Sequence, residues 1–322
     1  MPTISQRLVV DADTAAGMVA ARRDVLDERP WTPDDEASWP DGPARWDDAD
    51  GRTRSFAVER GPMERYRRDV RATDLPDGRV EVEELTRYVT SLGPVWSVPI
   101  SRLLASALRR TDDRQRRRHP IWAPPATLDT RAGTVLGILL SLSLVAGYLG
   151  TVLTQTVTYA ADEFGRGTAA QANVLAAVRI GVLGSLVLVT ASDRRGRRRL
   201  LLWSIGLCCG VTVLGAASPT IEVLGLTQTA ARTFQTAAVL LLAVVAAEEM
   251  PAGARAYAVS VMSMTGALGA GIAVWALPLA DVGPQGWRIL FVIPLLGLPV
   301  VWRLRHRLPE SKLVVRPHAG GT

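Results

Sequence analysis

Between two long apolar runs, at about residues 173–192 and 200–217, this chain carries Asp193-Arg194-Arg195-Gly196-Arg197-Arg198-Arg199. Each run approaches the roughly 20 residues that a helix needs to cross a bilayer. A dense cationic loop between two spanning helices has to stay on the cytoplasmic side. Carrying each guanidinium into hydrocarbon would cost at least about 2.5 kcal/mol. The loop therefore reads as a membrane topology signal, and it orients everything joined to it.

The 322 residues are 48% hydrophobic, yet the mean hydropathy is only +0.15. A polar N-terminal part is being averaged with an apolar remainder. No long apolar run occurs before about residue 131. Beyond it the sequence suggests spans at about 133–160, 173–192, 200–217, 222–247, 257–279 and 289–304. Arg109, Arg110, Arg114, Arg116, Arg117, Arg118 and Arg131 precede the first span. Arg255 lies in the fourth-to-fifth loop, and Arg303, Arg305, Arg307, Lys312 and Arg316 follow the sixth span. Only Arg166 and Arg288 fall on the opposite side. This asymmetry predicts six crossings with both termini in the cytoplasm. The expected fold class is an all-α membrane protein, residues 131–308, after a polar cytoplasmic extension, residues 1–130. Residues 309–322 form a tail.

The net charge of +6 sits on arginines that mostly flank the spans, with Lys312 the single lysine, so it argues for the lipid bilayer as partner and not for nucleic acid. Cys208 and Cys209 are neighbours within one span and imply no structural disulfide. Residues 1–10 have no signal-peptide pattern. No catalytic site emerges either. There is no Gly-Lys pair for a phosphate loop, and His119, His306 and His318 all lie outside the spans. The short sequence from Asp41 to Arg45 has the wrong spacing for a phosphatidyltransferase, and no metal-ligand cluster or cofactor motif is present.

Four short patterns occur in order. The first is Asp193, Arg194, Gly196, Arg197 and Arg198, and the second is Glu248, Pro251 and Arg255. Gly286-Trp287-Arg288 and Pro309-Glu310-Ser311 follow. Together they resemble the first-half signatures of the major facilitator superfamily of secondary transporters, the second being similar to that of its sugar porters. The stretch from Thr265 to Gly271 lacks the proline of the drug-antiporter element, which tilts the resemblance towards uptake of a metabolite. It implies the N-terminal six-helix half of a plasma-membrane transporter that moves a small solute by alternating access, coupled to protons as in a symporter. Such proteins have a second six-helix half, so the chain is expected to be either a truncated product, which is favoured, or a subunit that pairs with another half.

Two groups of residues are candidates for function. At the cytoplasmic helix ends, Asp193 and Arg255 can pair bidentately, with Glu248 as a second acceptor and Arg194, Arg197 or Arg198 as donors. Pairs that break when helices move make a gate. Within the spans, Gln228, Arg232 and Gln235 form one polar stripe at helical spacing, and Tyr148, Thr151, Gln155 and Thr158 form another. The resemblance places both stripes on cavity-lining helices, which makes them the expected solute site. Interhelical hydrogen bonding is the structural alternative. Arg179 lies closer to the outer surface, where snorkelling and a functional role stand about even, and the glycines at 206, 210, 266, 269 and 271 are expected to serve as packing contacts.

In the extension, residues 1–55 read as disordered, being acidic, Pro-rich and dotted with Trp31, Trp39 and Trp46. Leu75-Pro76-Asp77-Gly78 signals a hairpin turn. Residues 97–110 read as an amphipathic helix lying on the inner leaflet. A second function class therefore stands beside transport, in which the helices anchor the extension for a cytoplasmic partner.

Overall fold

The computed structural model describes residues 2–23, 26–32, 34–35, 53–109, 120 and 122–304, with the side chains at 94, 193–195, 300, 301, 303 and 304 left aside. The chain divides into two compact units, Met1–Gly137 with Pro251–Ala254, and Ile138–Met250 with Arg255–Thr322.

The first unit is built on a five-stranded antiparallel sheet. Its elements are β1 (Thr3–Val10), α1 (Ala12–Val19), β2 (Asp27–Pro30), β3 (Thr53–Arg60), β4 (Met63–Asp74), β5 (Val80–Thr90) and α2 (Pro94–Leu108), with strand order β1-β5-β4-β3-β2. The expectation of disorder over residues 1–55 is thus corrected, since β1, α1 and β2 all fall within it. Residues 36–52, the acidic part with Trp39 and Trp46, lie outside the described residues. The predicted hairpin is present. The Leu75 N–H donates to the Arg79 carbonyl at 2.8 Å, and Gly78 takes a φ of 78° that favours glycine. α2 falls where the amphipathic helix was expected, and its residues Leu104, Ala107 and Leu108 are buried with Ile4, Tyr66 and Tyr88.

Charge pairs fill part of this interior. Glu28 is fully buried and accepts from Arg68 Nη2 at 2.6 Å, Arg68 Nε at 2.8 Å, the Tyr66 hydroxyl at 2.5 Å and the Arg22 N–H at 2.7 Å. Arg68 also donates to the Met18 and Ala20 carbonyls, at 2.8 and 2.7 Å, so α1 is tied to β4. Arg22 reaches Glu84 at 2.9 Å. Burial, reinforced by the Glu28 charge, pushes the Tyr66 phenol up, which keeps its proton in the bond to Glu28.

The second unit contains most of α3 (Thr130–Glu163), followed by α4 (Thr168–Arg195), α5 (Arg197–Ala216), α6 (Ile221–Glu249) and α7 (Arg255–Trp275). These supply five helices long and apolar enough to cross a membrane among the described residues. The sixth expected span is not one helix. It runs as α8 (Trp287–Val292), a 3-10 turn (Ile293–Leu296) and α9 (Gly297–Leu304). Pro294 at the start of that turn has no N–H to continue the α-helical ladder.

Glycines set two of the helix contacts. A Cβ on Gly147 of α3 would run into the Gly266 carbonyl of α7, and one on Gly269 into the Leu144 carbonyl. Gly181 of α4 likewise faces the Thr229 carbonyl of α6. Gly206, Gly210 and Gly271 were expected to do the same and do not, since a Cβ at each meets nothing within 4 Å.

Gly147→Val should therefore destabilise the full chain by about 1–3 kcal/mol through overpacking, whereas Gly210→Val should change stability far less. Chemical denaturation in detergent reads the difference. In the first unit, Glu28→Ala leaves the Arg68 charge buried without its main partner. Amides of Met63–Asp74 should then exchange as if about 3–5 kcal/mol of protection were gone.

Candidate solute site and helix clamps

α6 begins at Thr220, whose side chain accepts from the Val223 N–H, and runs for 29 residues. Arg232 lies eleven residues after Ile221, about 16 Å along the axis. Half-buried there, it crosses to α3. Nη2 donates to the Gly150 carbonyl at 3.0 Å, and Nη1 lies 3.4 Å from Gln235 Oε1. Gln235 Nε2 in turn donates to the Ala146 carbonyl at 3.3 Å. A side chain on residue 150 would crowd this bridge, because its Cβ would stand 2.9 Å from Gln235 Nε2. All of these partners are neutral oxygens, so they orient the guanidinium without neutralising it. A cavity of about 250 Å³ adjoins the bridge, lined by Ser143, Gln235, Met262 and Ser263 among others.

The remaining stripe residues separate. Tyr148 is buried and donates its hydroxyl to the Leu290 carbonyl at 2.8 Å. Gln228 is also buried, with Nε2 directed at Gly215 of α5. Thr151 and Gln155 are half-buried and Thr158 is exposed. Arg232 and Gln235 thus meet the first long helix, while Tyr148 and Gln228 are turned into the packing of α5 and α8.

At the other candidate site, α4 and α5 are joined by Gly196 alone, at φ 90° and ψ 122°, a conformation that favours glycine. Of the three arginines expected to reach Glu248, Arg197 forms an ion pair with it. Arg198 is half-buried beside it. Arg255 donates Nε to the Met250 carbonyl at 3.3 Å. The side chains of Asp193 and Arg194 lie outside the described residues.

A third cluster was missed. Glu163, the last residue of α3, accepts from the Trp287 indole at 2.6 Å and from Arg288 Nη2 at 3.0 Å. Arg288 also donates to the Ser218 carbonyl at 3.1 Å and to the Ala216 carbonyl, 2.5 Å away, at the C-terminal end of α5. Cation and helix end suit one another there. Trp287 is fully buried and meets Phe291 edge-on, at 5.2 Å between ring centroids. The Trp-Arg pair directly before an apolar run, with an acid at the end of an earlier helix, was the available signal.

Glu163→Ala should lower the stability of the full chain by about 3–5 kcal/mol, since Arg288 stays half-buried without its carboxylate. Thermal unfolding beside the milder Glu163→Gln, which can still accept from Trp287, measures the charge contribution.

No family model matches the sequence, and no curated protein matches it. Solved structures do. A proton:xylose symporter, XylE, bound to 6-bromo-6-deoxy-D-glucose is similar at 20% identity and a TM-score of 0.51, over 56% of this chain and 46% of that one. The inward open xylose transporter XylE from E. coli is similar at 18% identity and a TM-score of 0.50, over 56% and 48%. The chain spans less than half the length of either. Over the 56% of this chain that is matched, the likeness is one of fold, to part of a major facilitator superfamily transporter.

Proposed function

We propose that this chain forms the N-terminal half of a secondary transporter that moves a small solute by alternating access. The observation that carries the reading is Arg232, a cation deep in an apolar helix and held by Gly150 and Gln235 across to α3. A charge at that depth costs at least about 2.5 kcal/mol, and function is the ordinary reason for it. In this reading Arg232 and Gln235 bind solute, and Thr151, Gln155 and Thr158 of α3 add polar contacts to it. Tyr148 and Gln228 support the walls. Asp193, Arg194, Gly196, Arg197, Arg198, Glu248 and Arg255 form the cytoplasmic gate. The broken segment α8–α9 makes the sixth crossing, and both termini face the cytoplasm of a plasma membrane. A second six-helix half completes the cavity. Its need is suggested by the share of the XylE structures that the chain leaves uncovered. Proton coupling belongs to the same proposal, by likeness to the proton:xylose symporter.

Screening small solutes against the purified full chain should reveal one that raises its unfolding temperature. Arg232→Ala should weaken that response at least about tenfold, the loss of one charge-assisted contact. A response that survives Arg232→Ala unchanged sinks the assignment of the site. The folded sheet of the first unit favours a second reading, a membrane-anchored binding module. Capture of a cytoplasmic partner by the full chain, with no solute response, would select it.

A further inference from the structure

A second cavity belongs to neither candidate site. It has a volume of about 730 Å³, within the range of small-ligand pockets, and opens on the outer face of α4, α5 and α6. Arg199 and Trp203 stand at one end of its wall, Ser204 lies deeper, and Leu188, Leu207 and Phe234 supply apolar surface. Arg199 is in the first turn of α5 and Leu207 eight residues on, about 12 Å further along the axis. The cavity is therefore polar and cationic at one end and apolar along its length.

Three further observations point to an anionic amphiphile. Arg197, Arg198 and Arg199 crowd the N-terminus of α5, where the helix dipole already disfavours cations and favours a phosphate. Arg197 is paired with Glu248, but among the described residues no carboxylate pairs with Arg199. The Ser204 hydroxyl, on a residue only 1% exposed, has no hydrogen-bond partner among the described residues. Trp203, by contrast, is 57% exposed, as an indole at a membrane border commonly is.

We propose that this groove binds an anionic glycerophospholipid of the leaflet on which the arginine loop lies. The phosphate sits on Arg199 and the N-terminus of α5, the ester region meets Trp203 and Ser204, and one acyl chain runs along Leu188, Leu207 and Phe234. A neutral lipid fills the same apolar wall but leaves the charge at its mouth unanswered.

The test uses the full chain in nanodiscs doped with phosphatidylglycerol or phosphatidylcholine carrying a photoreactive acyl chain, followed by peptide mapping. Label is expected on residues 199–207 and on Phe234, about fivefold stronger with phosphatidylglycerol, as one cation at a membrane surface contributes. Arg199→Ala, on an exposed side chain, should abolish the preference without unfolding the chain, and Arg199→Lys should keep it. Leu207→Trp, which fills the deep end, should lower labelling by both lipids. Equal labelling by the two lipids overturns the proposal. So does a preference that persists in Arg199→Ala, or protection of the groove by a co-purifying protein.

Discussion

Helices in a bilayer have no water to escape from when they meet, so close backbone approach and a few polar clamps must hold them together. The rest of the membrane unit depends on that constraint. Gly147 and Gly269 let α3 and α7 touch backbone to backbone. Glu163 then gathers Trp287 and Arg288 at one end of the unit, and through Arg288 it reaches the carbonyl end of α5. The buried cluster of Val157, Ile221, Trp287 and Phe291 lies around that clamp. The guanidinium held there by the carboxylate also donates to backbone oxygens that would otherwise be stranded.

The N-terminal unit has the opposite arrangement, with charge inside. Glu28, Arg68, Arg22 and Glu84 are all buried, each answered by an opposite charge or a carbonyl. The pairing fixes which strand faces which more narrowly than apolar side chains could, because each partner has to arrive at hydrogen-bond distance. A small sheet can be specified in this way beside its apolar core, although the ion pairs themselves add little net stability.

This contrast explains what the sequence disclosed. The long helices were legible because twenty apolar residues in a row have few other meanings, and the arginine loop marked where two of them join. The hairpin at Gly78 was legible from its turn residues. The sheet as a whole was not, because Arg68 and Glu84 interrupt the apolar alternation of their strands at buried positions. Glu163 was missed for a related reason. An acid at a helix end reads as solvated until the partner 124 residues away is placed beside it. Among the candidate site residues, spacing alone could not say that Gln228 turns to α5 while Arg232 turns to α3. The glycines show the same limit, since Gly269 meets a carbonyl and Gly271, two residues on, meets nothing.

The one-residue joint at Gly196 carries a mechanical consequence. With Arg195 closing α4 and Arg197 opening α5, the two helices have no slack between them. Arg197 also fastens that corner to Glu248 near the end of α6. A turn of α4 is therefore passed directly to α5 without a loop to absorb it, and parting the end of α6 from that corner requires the Arg197–Glu248 pair to open.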